Sequence, residues 1–207
     1  MIELFVSSLI TFFVVIDPPG CAPIYAGLSA GATPTHRRAM AVRAVGVAAA
    51  ILLVFALFGE DLLHGLGIEL ASFRIAGGIM LFLIALEMVF EKRTQRREDR
   101  AAKVAEVPEE AEDVSIFPMA MPMIAGPGSI ASVMLLMSHT DGLQRSLVVL
   151  AGLGTILLLT LVALLAAGPL MRLLGAKIEA VITRLLGVLL AALAVQFVMD
   201  GLQVSLR

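Results

Sequence analysis

Residues 4–28 form an apolar segment of membrane-spanning length, LFVSSLITFFVVIDPPGCAPIYAGL, with Asp-Pro-Pro-Gly near its centre. Proline lacks a backbone N–H and clashes with the preceding helical turn, so two prolines and a glycine predict a break in this helix. Lipid cannot hydrogen-bond the freed backbone groups, and the break must therefore face protein or a water-filled cavity. Residues 117–137 contain Ala-Gly-Pro-Gly and predict a second break.

The composition indicates a protein whose outer surface is largely apolar. Of its 207 residues, 59% are hydrophobic and 15% are charged, whereas soluble domains carry about 45–50% apolar and ~25% charged residues. The mean hydropathy is +0.99. We predict an all-α polytopic membrane protein, because six segments approach the ~20 apolar residues that cross a bilayer. These segments are 4–28, 39–58, 71–90, 117–137, 147–167 and 180–199.

Several functional classes are disfavoured by the residue types. The chain has no Trp, one Tyr and no basic stripe with interleaved aromatics, so no nucleic-acid partner is predicted. Cys21 is the only cysteine, which excludes an intrachain disulfide, and we interpret it as a packing residue. His36, His64 and His139 are scattered, so no metal or cofactor is predicted. No His lies within a span and Asp17 has no second acid at its depth, so no catalytic residue is predicted.

Lysine and arginine predict the orientation of the chain, because cytoplasmic loops are enriched in both. Ten of them lie in the predicted loops 1–2, 3–4 and 5–6: Arg37, Arg38, Lys92, Arg93, Arg96, Arg97, Arg100, Lys103, Arg172 and Lys177. The opposite side has only Arg145 and Arg207. We therefore predict that the first side is cytoplasmic and that both termini lie outside.

The two halves of the chain repeat one another. Positions match at a spacing of 108 residues and, after a two-residue insertion, at 110: Pro19 with Pro127, Gly20 with Gly128, Gly46 with Gly154, Gly67 with Gly175, Glu69 with Glu179, Arg74 with Arg184, and Gly77 with Gly187. Three spans in each half would invert the second half, which is the plan of many secondary transporters. We predict a first repeat at 1–90, a charged cytoplasmic loop at 91–116 and an inverted second repeat at 117–207.

The breaks in helices 1 and 4 are the predicted substrate site. The half-helices after them are expected to begin near Gly20 and Gly128 and to point their N–H groups into the protein near the midplane. That arrangement suits an anionic group such as a substrate carboxylate. The alternative is a pair of structural kinks. The predicted binding residues are Asp17, Pro18, Pro19, Gly20, Gly126, Pro127, Gly128 and Ser129.

Three charged residues are candidates for coupling or gating: Asp17, Arg74 and Arg184. A carboxylate at mid-depth costs about 2.5–3.5 kcal/mol on insertion scales, which favours a functional role for Asp17 as proton carrier, ammonium ligand or arginine partner. The alternative is a cap for the half-helix that follows. Ala125 occupies the corresponding position, so the site is predicted to be asymmetric. For the arginines, the alternatives are snorkelling to the interface and pairing with Asp17 or with helix-end carbonyls.

Three motifs in combination resemble those of one family. They are DPPG at 17–20 leading to Pro23, FPMAMP at 117–122 leading to AGPGSI at 125–130, and RIAGG at 74–78. The whole chain resembles the MarC family of bacterial and archaeal inner-membrane proteins, also described as neutral amino acid transporters with six spans. The resemblance implies a multi-pass inner-membrane protein that transports small neutral amino acids such as glycine, alanine or serine, with proton coupling left open.

The functional hypothesis is a secondary transporter that works by alternating access around a midplane site. Its expected partners are a zwitterionic amino acid, the lipid bilayer and, if transport is coupled, protons. The half-helix N-termini would donate to the carboxylate, and Asp17 or unwound carbonyls would accept from the ammonium group. The alternative is a passive channel or an exporter of another small solute, and the sequence leaves a homo-oligomer open.

Overall fold

The computed structural model describes residues 1–90, 95–96, 98–99, 102, 113–138, 140 and 142–206, with 170–180 described by backbone only. Most of the predicted charged loop, 91–116, lies outside the described residues. All elements in the described part of the chain are helical. They are α1 (Ile2–Ile16), α2 (Pro18–Leu28), α3 (Pro34–Gly65), α4 (Leu70–Val89), α5 (Ser115–Ile124), α6 (Pro127–Ser138), α7 (Leu143–Leu165) and α8 (Ala167–Ser205).

These helices are sufficient for six membrane spans. Five stretches are long and apolar enough: α1 with α2, α3, α4, α7, and Val181–Ser205 of α8. The sixth is α5 with α6, which pass the same test together and are bent by 51° at the break between them. Large apolar side chains such as Phe58, Leu158 and Leu185 are exposed on the outside. The prediction of an all-helical, multi-span membrane protein is confirmed.

The helices extend beyond the predicted spans at three boundaries. The second helix begins at Pro34 rather than at residue 39, because Thr33 caps it by accepting a hydrogen bond from the N–H of His36 at 3.3 Å. It also continues past residue 58, to Gly65. Residues 168–179 are helical rather than a loop, since α8 runs unbroken from Ala167. Hydropathy indicates where a chain leaves the apolar layer, whereas a helix can continue beyond that point.

The contacts between helices follow the predicted two-fold repeat. Helix α1 packs against α7, and its counterpart α5 packs against α3. Helix α2 packs against α7 and α8, as its counterpart α6 packs against α3 and α4. Helix α1 also contacts α6, and α2 contacts α5. Exchanging the two halves therefore preserves the main contacts, and each broken helix packs against helices of the opposite half.

The last helices of the two halves, α4 and α8, run antiparallel and in close contact. A Cβ on Gly201 would lie 2.7 Å from Ile75 Cγ1, near the start of α4. A Cβ on Gly187 would lie 2.9 Å from Met88 Cβ, near the end of α4. Between them, a Cβ on Gly78 would lie 2.8 Å from the carbonyl oxygen of Ala194. Glycine lets the two backbones approach closely, and the antiparallel direction is that expected of inverted three-helix halves.

The broken helices lie at the centre of the protein. The span formed by α1 and α2 is 56% buried, more than α3, α4, α7 or the span in α8. Phe12 and Ile16 of α1, Tyr25 of α2 and Leu135 of α6 are each at most 1% exposed. The breaks therefore face protein, as irregular backbone in a membrane must.

Candidate functional site

The first break consists of one residue. Asp17 lies between the end of α1 and the start of α2, with a left-handed backbone at φ 59° and ψ 65°. Its Oδ1 accepts a hydrogen bond from the N–H of Gly20 at 3.1 Å, which makes it the cap of α2. A Cβ on Gly20 would overlap the same carboxylate. The capping role that the sequence left open for Asp17 is therefore present.

This break is smaller than the sequence predicted. Pro18 and Pro19 occupy the first turn of α2, where backbone N–H groups have no intrahelical acceptor and their loss therefore costs no hydrogen bond. The N–H of Cys21 donates to the carbonyl oxygen of Asp17 at 3.0 Å, and its Sγ donates to that of Ile16 at 3.4 Å. The side chains of Asp17 and Cys21 thus form hydrogen bonds with backbone groups at the interruption, and α1 and α2 together form one span.

The second break is wider. Helix α5 is a coil of wide turns in which Phe117 and Met121 are extended, each followed by a cis proline. Ala125 and Gly126 separate α5 from α6, which begins at Pro127. The N–H groups that follow Pro127 lie in the first turn of α6, where a helix provides no acceptor of its own. The irregularity therefore covers much more of this span than the four residues from which it was predicted.

A cavity of about 320 Å³ lies against the second break. Its lining includes all four predicted residues of that break, Gly126, Pro127, Gly128 and Ser129. The remaining lining residues are Val15, Met80, Leu83, Ile84, Glu87, Arg96, Pro122 and Met123. The second half of the predicted site is thus gathered around one space that a small solute could occupy.

Close packing at Gly128 joins this cavity to the first broken helix. A Cβ on Gly128 would lie 2.6 Å from Ile84 Cδ1 and 3.2 Å from Val15 Cγ1. Val15 precedes Asp17 by two residues, so the two breaks are close neighbours. However, none of residues 17–20 is among the described residues that line the cavity, and Asp17 is only 2% exposed. The two halves of the predicted site adjoin without sharing this cavity.

The face of α4 that lines the cavity was not predicted from the sequence. Met80, Leu83, Ile84 and Glu87 recur at the spacing of one helix face. Glu87 forms an ion pair with Arg96 at the edge of the cavity. The spacing was visible in the sequence, but the same pattern is typical of any helix contact. Only the fold shows that this face borders a cavity.

Arg74 lies at the other end of α4. Its Nη2 donates to the carbonyl oxygen of Ser138, the last residue of α6, at 3.0 Å. A positive charge at a helix C-terminus satisfies a carbonyl that lacks an intrahelical donor and favours the helix dipole. Arg74 therefore binds a helix-end carbonyl, one of the alternatives left open. Arg184, its counterpart, lies on an exposed position of α8, and gating roles for both stay predictions.

Outside the cavity, Asp113 connects the start of α5 to α3 through an ion pair with Arg43. Burial raises the pKa of Asp113, but hydrogen bonds from Ser115 and the charges of Arg43 and His36 outweigh it and bring that pKa below its usual value. Among the described residues, no group of three His, Cys, Asp or Glu side chains could hold a metal ion.

Comparison with known proteins identifies the family. A model of the MarC family of integral membrane proteins matches residues 2–206. The chain belongs to the MarC family. A UPF0056 membrane protein of Methanocaldococcus jannaschii is 34% identical over 205 residues, which cover 99% of this chain and 98% of the relative. No solved structure gives a significant match.

Two further relatives come from well-known bacteria. The UPF0056 inner membrane protein YhgN of Escherichia coli is 34% identical over 206 residues, 98% of both chains. The UPF0056 membrane protein YvbG of Bacillus subtilis is 33% identical over 203 residues, 98% of this chain and 96% of the relative. The resemblance drawn from the motifs is confirmed for this MarC-family chain. These names describe membrane proteins and specify no substrate.

Proposed function

We propose that this MarC-family chain is a secondary transporter of small neutral amino acids such as glycine, alanine or serine. The observation that supports the proposal is the cavity at the second break, which combines a helix N-terminus with a charged edge. The name of the Escherichia coli relative supports an inner-membrane location. The lysine and arginine distribution supports a cytoplasmic position for the cavity edge that carries Glu87 and Arg96.

The cavity lining offers complementary groups to a zwitterion. The backbone N–H groups of Gly128 and Ser129, with the Ser129 hydroxyl, can donate hydrogen bonds to a carboxylate at the start of α6. Glu87 can accept hydrogen bonds from an ammonium group. In this proposal Glu87 takes the role that the sequence analysis gave to Asp17 or to unwound carbonyls. Leu83 and Ile84 provide apolar walls that suit a short aliphatic side chain.

The two ends of α4 suggest how access would alternate. In the proposed orientation, α4 runs from the outside to the cytoplasm, so Arg74 and Ser138 hold the outer side together. The cavity lies between the mid-depth residue Gly128 and the cytoplasmic edge at Glu87. We infer an inward-facing conformation, and the inverted repeat supplies the counterpart that would open outward.

Reconstitution into liposomes tests the proposed function. We expect labelled glycine, alanine or serine to exchange against the same unlabelled amino acid inside the vesicles, and a pH gradient to drive accumulation if transport is proton-coupled. Rapid downhill flux without counterflow or accumulation would indicate a channel instead. The absence of counterflow for all three amino acids would refute the proposed substrate class.

A pair of matched substitutions tests the site. Gly128→Leu places a side chain at the cavity wall, where even a Cβ would lie 2.6 Å from Ile84 Cδ1 and 3.2 Å from Val15 Cγ1. Gly46→Leu adds the same atoms at an exposed position of α3 with open space around it. We expect Gly128→Leu to lower exchange by about tenfold or more, equivalent to 1.4 kcal/mol, and Gly46→Leu to leave it nearly unchanged. Normal exchange by a folded Gly128→Leu variant would place the site elsewhere.

A further inference from the structure

A second cavity, of about 170 Å³, lies where the α2–α3 and α7–α8 junctions meet. Arg37 and Arg38, in the first turns of α3, form its charged wall. Leu164 and Leu165, at the end of α7, form its apolar wall, and the first turn of α8 and Tyr25 complete the lining. The cavity is separate from the one at the second break and shares no lining residue with it.

The backbone beneath the two arginines is held in place by buried groups. Tyr25 is 1% exposed, and its hydroxyl donates a hydrogen bond to the carbonyl oxygen of Arg37. The N–H of Arg37 donates to the carbonyl oxygen of Thr33 at 2.9 Å, and Ser29 Oγ donates to that of Tyr25 at 2.6 Å. The start of α3 is therefore anchored to the end of α2, so the backbone that carries the two arginines is fixed relative to the rest of the cavity.

Among the described residues, no acid forms an ion pair with the two arginines that line this cavity. Arg43, further along α3, does pair with Asp113. Two guanidinium groups in one recess attract an anion, and their planar donor sets match phosphate oxygens. The cavity therefore suits a phosphate group better than a neutral ligand.

The position of the cavity indicates where the phosphate comes from. Leu165 is 48% exposed beside the cavity, while Leu164 is 1% exposed and packs inward. An apolar outer surface thus borders the charged recess at the end of a membrane span. Basic pockets between helices at the cytoplasmic face bind the headgroups of anionic lipids. We propose that this cavity binds a phosphate group, and that its source is the headgroup of an anionic phospholipid.

The test measures the thermal stability of the full chain in detergent micelles doped with phosphatidylglycerol or phosphatidylcholine. We expect phosphatidylglycerol to raise Tm more than phosphatidylcholine does. Arg37→Gln and Arg38→Gln should each weaken the apparent affinity for phosphatidylglycerol by about tenfold. Arg145→Gln, which removes an exposed arginine from the start of α7, is the matched control and should leave that affinity within about twofold.

Three results would overturn the proposal. The first is equal stabilisation by the two lipids, and the second is an equal loss of affinity in Arg145→Gln. The third is equal stabilisation by inorganic phosphate alone, which would assign the site to a soluble ligand rather than to a lipid. If Arg37→Gln does not fold in phosphatidylcholine, Arg38→Gln carries the comparison, because its side chain is exposed and its backbone is not bonded to Tyr25.

Discussion

Substitutions at Asp17 separate a capping role from a role in transport. Asp17 has a left-handed backbone with φ 59°, and its carboxylate accepts the hydrogen bond from Gly20 at 3.1 Å. Asparagine tolerates the same backbone and offers an amide oxygen to the same N–H. Asp17→Asn therefore removes the charge and retains both structural contributions. Asp17→Gly and Asp17→Ala remove the cap, and alanine also adds strain.

The structure sets the expected magnitudes. Loss of the cap costs a few tenths of a kcal/mol when glycine replaces it and about 1 kcal/mol when alanine does. A left-handed alanine costs about 1–2 kcal/mol more, so Asp17→Ala loses roughly 2–3 kcal/mol. For a chain of this length, each kcal/mol corresponds to about 2–4 °C in Tm. We expect Asp17→Ala to melt about 4–12 °C below the wild type, Asp17→Gly slightly below it, and Asp17→Asn close to it.

Cys21 provides the assay for this series. It is the only cysteine in the chain, it is 0% exposed, and its Sγ donates to the Ile16 carbonyl within the same break. A fluorogenic maleimide reacts with Cys21 only when the surrounding structure opens, so the melting curve is measured at the break itself. If Asp17→Asn melts as low as Asp17→Ala, the cap is not what Asp17 contributes, and the reasoning is refuted.

The same asparagine variant addresses proton coupling. If the Asp17 carboxyl carries the proton, Asp17→Asn should abolish the effect of a pH gradient on amino acid accumulation while Tm stays close to the wild type. Accumulation that responds to the gradient as in the wild type would leave Asp17 with a structural role alone. Asp17→Gly, which also lacks the carboxyl, should match Asp17→Asn in uptake if the charge is what matters.

Two further substitutions probe the helix contacts. Gly78→Ala places a Cβ 2.8 Å from the Ala194 carbonyl oxygen, and the resulting overpacking should cost about 1–3 kcal/mol of stability. The control Gly46→Ala adds a Cβ at an open position and should not lower Tm. Equal Tm values for the two variants would contradict the α4–α8 contact. Arg74→Gln removes the hydrogen bond to the Ser138 carbonyl oxygen, worth about 1.5–3 kcal/mol. It should increase maleimide labelling of a Ser138→Cys reporter in a Cys21→Ala background. Unchanged labelling would show that this contact does not hold α6 in place.

The spans and the positions of the breaks could be predicted because both depend on local chemistry. Apolar runs of sufficient length determine where a chain crosses a bilayer, and a proline changes the backbone wherever it stands. The matching spacing of Arg74 and Arg184 predicted that α4 and α8 hold corresponding places in the two halves, and the structure places these two helices in contact. The extent of each break could not be predicted in the same way. Pro18 and Pro19 fit the first turn of α2, whereas extended Phe117 and Met121 lengthen the irregular part of the fourth span.

The cavity itself depends on which helix faces which. Glu87 is near the end of an apolar segment, where a charge at the interface is the ordinary interpretation. Its ion pair with Arg96 joins α4 to the segment that follows it, and its place in the cavity depends on α6 lying across from α4. Neither the ion pair nor the position of α6 opposite α4 follows from a regular spacing of residues in the sequence. Gly128 could be placed at a break from its local sequence, whereas the position of Glu87 at the cavity depends on tertiary structure.

The two breaks differ in whether the chain itself supplies an acceptor for the start of the helix that follows. Asp17 supplies the acceptor for the N–H of Gly20, so the start of α2 is satisfied from within the chain. At the corresponding position the second half has Ala125, whose side chain can accept nothing, and α6 begins beside a cavity. The carboxylate that caps α2 and a substrate carboxylate at α6 would then be equivalent groups. In the proposed transporter, the Asp17 carboxylate would therefore fill at α2 the position that a substrate carboxylate would fill at α6.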